Sequence, residues 1–270
     1  MLLFFQELLL FAAVQLIGIF VVLKNRILIR DQITADLTVG EIIFSLIFLA
    51  AFIYFAGKFF RKSGFFFRLI LGLAVFAGSQ TVFSLILNET VFSTLSGALL
   101  AFAVLKTKIV LLHNFGIILA LAGIGAVLGI SLQPFAVVAL LLVLSFYDII
   151  AVYKTGHMVK MAEDMIKSRA IFGLVIPQKF RGWKESLKNV RPGGEFMILG
   201  SGDIVMPLLL IASVTGSQGL AFGLIVFLFS MFGLFLTYYL FIAQKTRRPM
   251  AALPPIAAMS IIGYLVAVAF

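Results

Sequence analysis

Cysteine is absent from this chain, which excludes disulfides, thiolate catalysis and cysteine-ligated metal sites. Charged residues are also scarce: they make up 12% of the sequence, against 63% hydrophobic residues and 30 Phe. A soluble globular protein of this size needs more polar side chains than that to cover its surface. The composition therefore predicts a multi-pass integral membrane protein in contact with the lipid bilayer.

Nine hydrophobic runs follow one another along the chain. A transmembrane helix needs about 20 apolar residues, so 270 residues accommodate nine spans, short connections and one longer polar segment. We therefore predict an all-α polytopic fold with a single membrane domain, 1–270, and no separate soluble domain. The predicted helices cover about 2–23, 42–57, 69–87, 91–105, 109–130, 134–153, 196–214, 220–243 and 250–270, and the long loop is 154–195.

Lys and Arg are distributed unevenly among the connections. Those after the even-numbered runs hold 18 of the 21 basic residues, whereas those after the third, fifth and seventh runs hold none. The positive-inside rule then predicts that the even connections are cytoplasmic, with the N-terminus inside and the C-terminus outside. Lys24, Arg26 and Arg30 after the first run locally favour the opposite orientation. The net charge of +10 fits cytoplasmic loops better than a nucleic-acid partner.

Two carboxylates lie well inside apolar runs: Asp148 in LLLVLSFYDIIAVY and Asp203 in FMILGSGDIVMPLLL. An ionisable group at such depth is costly and indicates a functional site. The sixth run enters the cytoplasmic side six residues after Asp148, and the seventh leaves it eight residues before Asp203. At 1.5 Å per residue both acids lie about 9 to 12 Å from that side, so they can face each other. Glu7 and Gln15, in the first run, are interpreted as interhelical hydrogen-bonding groups.

Paired carboxylates at low dielectric tend to share one proton. The ionised partner can take a proton from water while the protonated one donates to a scissile carbonyl, which gives general acid-base hydrolysis of an amide. This chemistry needs no metal or cofactor. A proton-coupled transporter or cation channel could use the same two acids, and that alternative stays open. A type IV prepilin peptidase, which also has G-x-G-D, is disfavoured by the missing cysteines and the depth of both acids.

Small residues and prolines surround the two acids. Gly200 and Gly202 strip side chains from the turn before Asp203, which would let a substrate backbone come close. Near the cytoplasmic end of the ninth run, Pro254 and Pro255 weaken the helix start and leave carbonyls free for a cavity or a substrate.

Together, these elements resemble the presenilin and signal peptide peptidase superfamily of intramembrane aspartyl proteases, most closely its archaeal members. The elements are Tyr147-Asp148, Gly200-Ser201-Gly202-Asp203 and an Ala252-Leu253-Pro254 element, on nine spans. The resemblance implies that Asp148 and Asp203 are catalytic, that the neighbouring motif residues position substrate, and that the protein lies in a prokaryotic cell membrane. By analogy with presenilins, the inside N-terminus implies single-span substrates with an outside N-terminus.

One motif departs from the family pattern. The third motif is usually Pro-Ala-Leu, and here the corresponding triplet is Ala251-Ala252-Leu253. The leading proline has therefore moved or been lost.

A helical substrate must unwind before its carbonyls can be attacked, and the freed backbone groups then need partners. Two apolar runs that favour extended structure, 170–177 and 196–198, flank the catalytic helices. We predict that one of these two runs pairs with the unwound substrate as an added strand, and 196–198 is the preferred candidate. The alternative is that 154–195 is mostly a cytoplasmic linker.

Overall fold

A computed structural model describes residues 2–29, 64–87, 89–191, 195–244 and 249–269. Its longer helices are α1 (Leu2–Ile29), α2 (Gly64–Leu87), α3 (Thr90–Thr107), α4 (Val110–Ser131), α5 (Pro134–Ile149), α6 (His157–Ser168), α7 (Ser201–Ser217), α8 (Leu220–Ala243) and α9 (Leu253–Ala269). Two strands, β1 (Gly173–Pro177) and β2 (Phe196–Gly200), lie between α6 and α7. The predicted second helix, 42–57, falls outside the described residues.

Most of the predicted spans correspond to described helices. Six of these, α1 to α5 and α8, are long and apolar enough to cross a membrane, while α7 and α9 are apolar but shorter. α5 continues into a π-helical turn, Ile150–Lys154, which completes the sixth run. The structure therefore supports a polytopic helical membrane protein, and the count of nine spans stays a prediction.

The seventh run differs from its predicted helix. Its first five residues form β2, and the helix begins at Ser201 and extends to Ser217. β2 pairs antiparallel with β1, with Gly173 opposite Gly200 and Val175 opposite Ile198. The extended conformation predicted for parts of 170–177 and 196–198 is present, whereas a helix starting at 196 is wrong because these residues hydrogen-bond to a strand instead.

The long polar segment contains regular structure. It holds α6, β1 and two short 3₁₀ helices, Phe180–Lys184 and Leu187–Asn189. The segment also packs on the connection between α3 and α4: Val110 N–H donates to Glu185 O at 3.0 Å, and Leu187 N–H donates to Lys108 O at 2.8 Å. The alternative that 154–195 is mostly a linker is therefore wrong for the described part of this segment.

α7 lies at the centre of the helix bundle, in contact with α1, α4, α5, α8 and α9. Every residue from Pro207 to Thr215 is buried. A helix that is apolar on all sides can lie in a protein core or in lipid, and the segment PLLLIASVT is enclosed by other helices. The bundle therefore fixes the position of the helix whose first turn carries Asp203.

Close approach between α2 and α4 depends on glycine. A Cβ added to Gly123 of α4 would collide with the carbonyl oxygen of Gly78 of α2, and one added to Gly78 would collide with the Ala120 backbone. Backbone contacts of this kind are typical of membrane helices. Lipid provides no hydrophobic driving force for helix association, so close packing through small residues holds the helices together.

Candidate active site

Asp148 lies in the last turn of α5, directly before the π-helical turn. Its side chain is 5% exposed, and its Oδ2 accepts a hydrogen bond of 3.4 Å from the backbone N–H of Leu253. Leu253 is the first residue of α9, so this N–H is one of the free donors of a helix start. π-helical turns are frequent at functional sites, because they change the direction in which side chains leave the helix.

Asp203 lies in the first turn of α7, immediately after β2. Its side chain is 9% exposed, and its carboxylate accepts a hydrogen bond from the backbone N–H of Gly200. A helix N-terminus favours negative charge, which offsets part of the cost of burying this carboxyl group. The strand-to-helix junction thus fixes the acid between a hydrogen-bonded strand and a buried helix.

The two acids belong to one site. Their carboxyl groups are close enough to interact electrostatically, although 55 residues separate them in sequence. Each accepts a hydrogen bond from the main chain of another part of the bundle, α9 for Asp148 and β2 for Asp203. Two carboxyl groups in one low-dielectric site do not both ionise readily, which favours a shared proton.

The predicted positioning residues fall into two groups. Gly200 and Leu253 each contact an acid through the main chain, and a Cβ on Gly200 would lie 3.0 Å from Asp203 Oδ2. Gly202 is exposed, and a Cβ there would meet no atom within 4 Å. Tyr147 is 57% exposed on the outside of α5.

The third motif surrounds the start of α9. The carbonyl of Ala252 accepts a hydrogen bond of 3.4 Å from Thr237 Oγ1, which ties this turn to α8. Pro254 lines an apolar groove of about 180 Å³ between α5 and α9. Ser145 and Ile149, on either side of Asp148 in sequence, line the same groove. The groove therefore lies beside the turn of α5 that carries Asp148, although neither aspartate lines it.

Glu7 of α1 is a third carboxyl group at this site. It is 4% exposed, its Oε2 has no hydrogen-bond partner among the described residues, and its charge interacts with that of Asp203. The prediction that Glu7 forms an interhelical hydrogen bond is thus wrong for its Oε2. The same prediction is confirmed for Gln15, whose side chain donates to Ile204 O at 3.0 Å. The predicted topology could have indicated Glu7: it lies five residues after the start of the first run, about 8 Å from the side that is predicted to be cytoplasmic, close to the predicted depth of the two aspartates.

This arrangement suits general acid-base chemistry. One carboxylate can accept a proton from water while its protonated partner donates to a carbonyl. Within the described ranges, no group of three or more His, Asp and Glu side chains is arranged to hold a metal ion.

Comparison with known proteins gives a family match over nearly the whole chain. The model described as "Signal-peptide peptidase, presenilin aspartyl protease" matches residues 8–270. No curated protein matches the chain.

Solved structures share the fold. One, titled as a presenilin family intramembrane aspartate protease in space group C222, is 23% identical, with a TM-score of 0.68 and 98% of each chain covered. A second, with the same description in space group P2, is 24% identical, with a TM-score of 0.67, covering 97% of this chain and 96% of its own. These similarities reach from the first helix to the last.

Proposed function

The chain belongs to the signal-peptide peptidase and presenilin family of aspartyl proteases, and from this premise we propose that Asp148 and Asp203 are its catalytic pair. The protein is an intramembrane aspartyl endopeptidase that acts on transmembrane substrates within the bilayer. Family membership decides against the transporter alternative. The observation that carries the assignment is the pairing of two buried carboxyl groups, each held by one main-chain N–H.

In the proposed reaction, the two aspartates hold one proton between them. The ionised carboxylate removes a proton from a water molecule, whose oxygen attacks the scissile carbonyl carbon, and the protonated carboxyl donates to the carbonyl oxygen. As the C–N bond of the tetrahedral intermediate breaks, the carboxyl that took a proton from water gives it to the leaving nitrogen. The other carboxylate takes a proton from a hydroxyl of the intermediate, so the products are an amine and a carboxylic acid and the pair again holds one proton. The main-chain donors from Leu253 and Gly200 keep the two carboxyl groups in position throughout.

Cleavage of a reconstituted single-span substrate tests this assignment. Asp148→Asn and Asp203→Asn should each lower the rate by about 10²- to 10⁴-fold, the usual contribution of general acid-base groups. A hydroxyl-containing transition-state mimic should block the wild type. Asp164→Asn is the matched control, since Asp164 forms only a surface ion pair of 3.8 Å with Lys167. Wild-type rates in either active-site variant would disprove the pair.

Substrate positioning is proposed for the residues around the pair. These are Tyr147, Gly200, Gly202, Ala252, Leu253 and Pro254. Gly202 leaves open space beside Asp203, and Pro254 lines the groove beside Asp148, which supports a path for an extended chain between the two acids.

The sheet supports addition of a substrate strand to β2. Ser201 N–H donates to Phe172 O and Gln178 N–H donates to Glu195 O, on either side of β2. The alternation along the strand then directs the N–H and C=O groups of residues 197 and 199 towards β1. The N–H and C=O groups of Phe196 and Ile198 therefore point away from β1. In the described part of the chain the sheet has two strands, so no further strand pairs with this edge of β2. This free edge runs directly towards Asp203.

Proline substitution tests the free edge. Ile198→Pro removes an N–H that faces away from β1, which an edge strand tolerates. We expect it to abolish substrate cleavage while the transition-state mimic still binds. Met197→Pro is the matched control, because it removes an N–H that faces β1 and should destabilise the sheet itself. Wild-type cleavage by a folded Ile198→Pro variant would contradict strand addition.

The proposed topology has nine spans, an inside N-terminus and an outside C-terminus. The basic connections lie together in space, which supports a common side: Arg68 Nε donates to Ser168 O at 3.1 Å, from the start of α2 to the end of α6. Partial desolvation and the charges of Arg68, Arg169 and Lys188 lower the pKa of Lys108. With this orientation, single-span proteins whose N-terminus is outside are the proposed substrates, and a prokaryotic cell membrane is the proposed location.

A further inference from the structure

Two side chains of α4 occupy the edge of β1 that faces away from β2. Asn114 Nδ2 donates to Val175 O at 2.7 Å, and Val175 N–H donates to Asn114 Oδ1 at 2.9 Å. The Nε2 of His113 lies 3.2 Å from the carbonyl oxygen of Gly173. Asn114 and His113 are 1% and 0% exposed, so these bonds form in the interior of the protein.

Asn114 makes the same pair of hydrogen bonds that a residue of a neighbouring antiparallel strand would make. In such a pair, one residue exchanges both an N–H···O and an O···H–N bond with its partner. The side-chain amide carries one acceptor and a donor group in nearly the same arrangement, so it can substitute for a strand. The outer edge of β1 is closed by this substitution.

The remaining groups along that edge leave no room for a strand either. Gly173 O is bound by His113, and Pro177 has no N–H to donate. All five residues of β1 are buried, whereas three of the five residues of β2 are partly exposed. The sheet can therefore grow at β2 alone.

We propose that Asn114, supported by His113, is a positioning residue that closes β1 and anchors the sheet to α4, so that a substrate strand adds only at β2 and in one register. This inference rests on the proposed strand addition at β2. β2 leads directly into the turn that carries Asp203. The register of the added strand thus decides which peptide bond reaches the catalytic pair, and Asn114 acts on the choice of bond without touching substrate.

Removing the anchor should change where the substrate is cut. Asn114→Leu keeps a similar side-chain volume and removes both hydrogen bonds. The sheet is then free to shift, and strands shift by two residues at a time because their side chains alternate between faces. We expect product ends to spread to bonds about two residues away and KM to rise about tenfold, while the transition-state mimic binds within about threefold of wild type.

A second variant reaches the same contact from the strand. Val175→Pro removes the N–H that Asn114 accepts and leaves the bonds between β1 and β2 in place. It should produce the same spread of product ends, and the double variant should add little, because both changes break one interaction. Val175→Pro therefore carries the test if Asn114→Leu does not fold. Ser79→Ala, at a buried hydroxyl bonded to its own helix at Val75 O, is the control.

The measurement is mass spectrometry of the products, together with KM, kcat and mimic binding. Wild-type product ends and wild-type KM in both folded variants would overturn the role of Asn114. Loss of mimic binding in folded variants would also overturn it, because the amide would then act on the catalytic pair itself. Ile198→Pro distinguishes failure of strand addition from failure of the role of Asn114. If Ile198→Pro cleaves like wild type, strand addition at β2 is wrong. If Ile198→Pro abolishes cleavage but Asn114→Leu gives wild-type product ends, only the role of Asn114 is wrong.

Discussion

Gly200 and Gly202 both precede Asp203, but their surroundings differ. A Cβ on Gly200 would lie 3.0 Å from Asp203 Oδ2, whereas a Cβ on Gly202 would meet nothing within 4 Å. We therefore expect Gly200→Ala to displace the carboxylate and lower kcat by about 10- to 100-fold, as small misplacements of catalytic groups do. Gly202→Ala should leave mimic binding unchanged and raise KM for the protein substrate. Equal effects of the two substitutions on kcat would contradict this assignment.

Glu7 is expected to reduce the stability of the fold. In the part of the chain that the structure describes, its buried Oε2 has no hydrogen-bond partner and the carboxyl group of Asp203 lies within electrostatic range, so the cost of burying Glu7 is not offset there. Glu7→Leu should therefore stabilise the protein by about 1 kcal/mol. Asn114→Leu should destabilise it by about 1 to 3 kcal/mol, since it leaves Val175 N–H and C=O unpaired.

Thermal unfolding in detergent measures both changes, with cleavage assayed in parallel. Destabilisation by both substitutions would mean that Glu7 has a partner, such as a bound water. If Glu7→Leu were stable but inactive, Glu7 would belong to the reaction itself.

Functional residues could be predicted from the sequence where their side chains are unusual for their surroundings. Asp148 and Asp203 are conspicuous because charged groups are costly inside apolar runs. Glu7 is less conspicuous because it lies near the end of its apolar run, where a carboxyl group costs less than at the centre. The use of Asn114 was not predictable, since its partner Val175 lies 61 residues away and nothing local marks the contact.

At the scale of elements, the contact between α2 and α4 leaves no space for a side chain. A Cβ at Gly123 would collide with the backbone of Gly78, and backbone cannot move as a flexible side chain does. Gly123→Ala should therefore force the helices apart and destabilise the protein by about 1 to 3 kcal/mol, the usual effect of overpacking. Thermal unfolding checks this value. Gly216→Ala is the control, with its nearest neighbour at 3.8 Å, and an equal loss there would show that helix packing at Gly123 is not special.

Helices were more predictable than strands for a physical reason. Long apolar runs mark spans by length and composition, and most described helix bounds lie within a few residues of those runs. The larger differences are at the end of α1, which continues to Ile29, and at the starts of α2 and α7, which lie five residues before and five residues after the predicted starts. Whether 196–200 is strand or helix depends on pairing with 173–177, which local periodicity does not encode. From the sequence, 196–198 could therefore be identified only as a run that favours extended structure, and the same residues also lie at the start of the predicted helix.

At the scale of the whole molecule, orientation follows from the distribution of charge. The end of α3, the long segment before β2 and the start of α2 carry basic residues that lie at one end of the bundle. The connection between α4 and α5 lies at the other end, where Ser213 Oγ near the end of α7 donates to Leu132 O at 2.5 Å. Moving the basic end across the bilayer would be costly, so it should remain in the cytoplasm.

Single cysteines can test this orientation without interference, because the natural sequence has none. Lys106→Cys and Arg181→Cys lie at the basic end, and Glu89→Cys and Gln218→Cys lie in the opposite connections; all four side chains are exposed. A membrane-impermeant thiol reagent added to intact cells should label only Glu89→Cys and Gln218→Cys. Inverted vesicles should label only the other two. The reverse pattern would place the catalytic pair near the outer face, and substrates of the opposite orientation would then follow from the same chemistry.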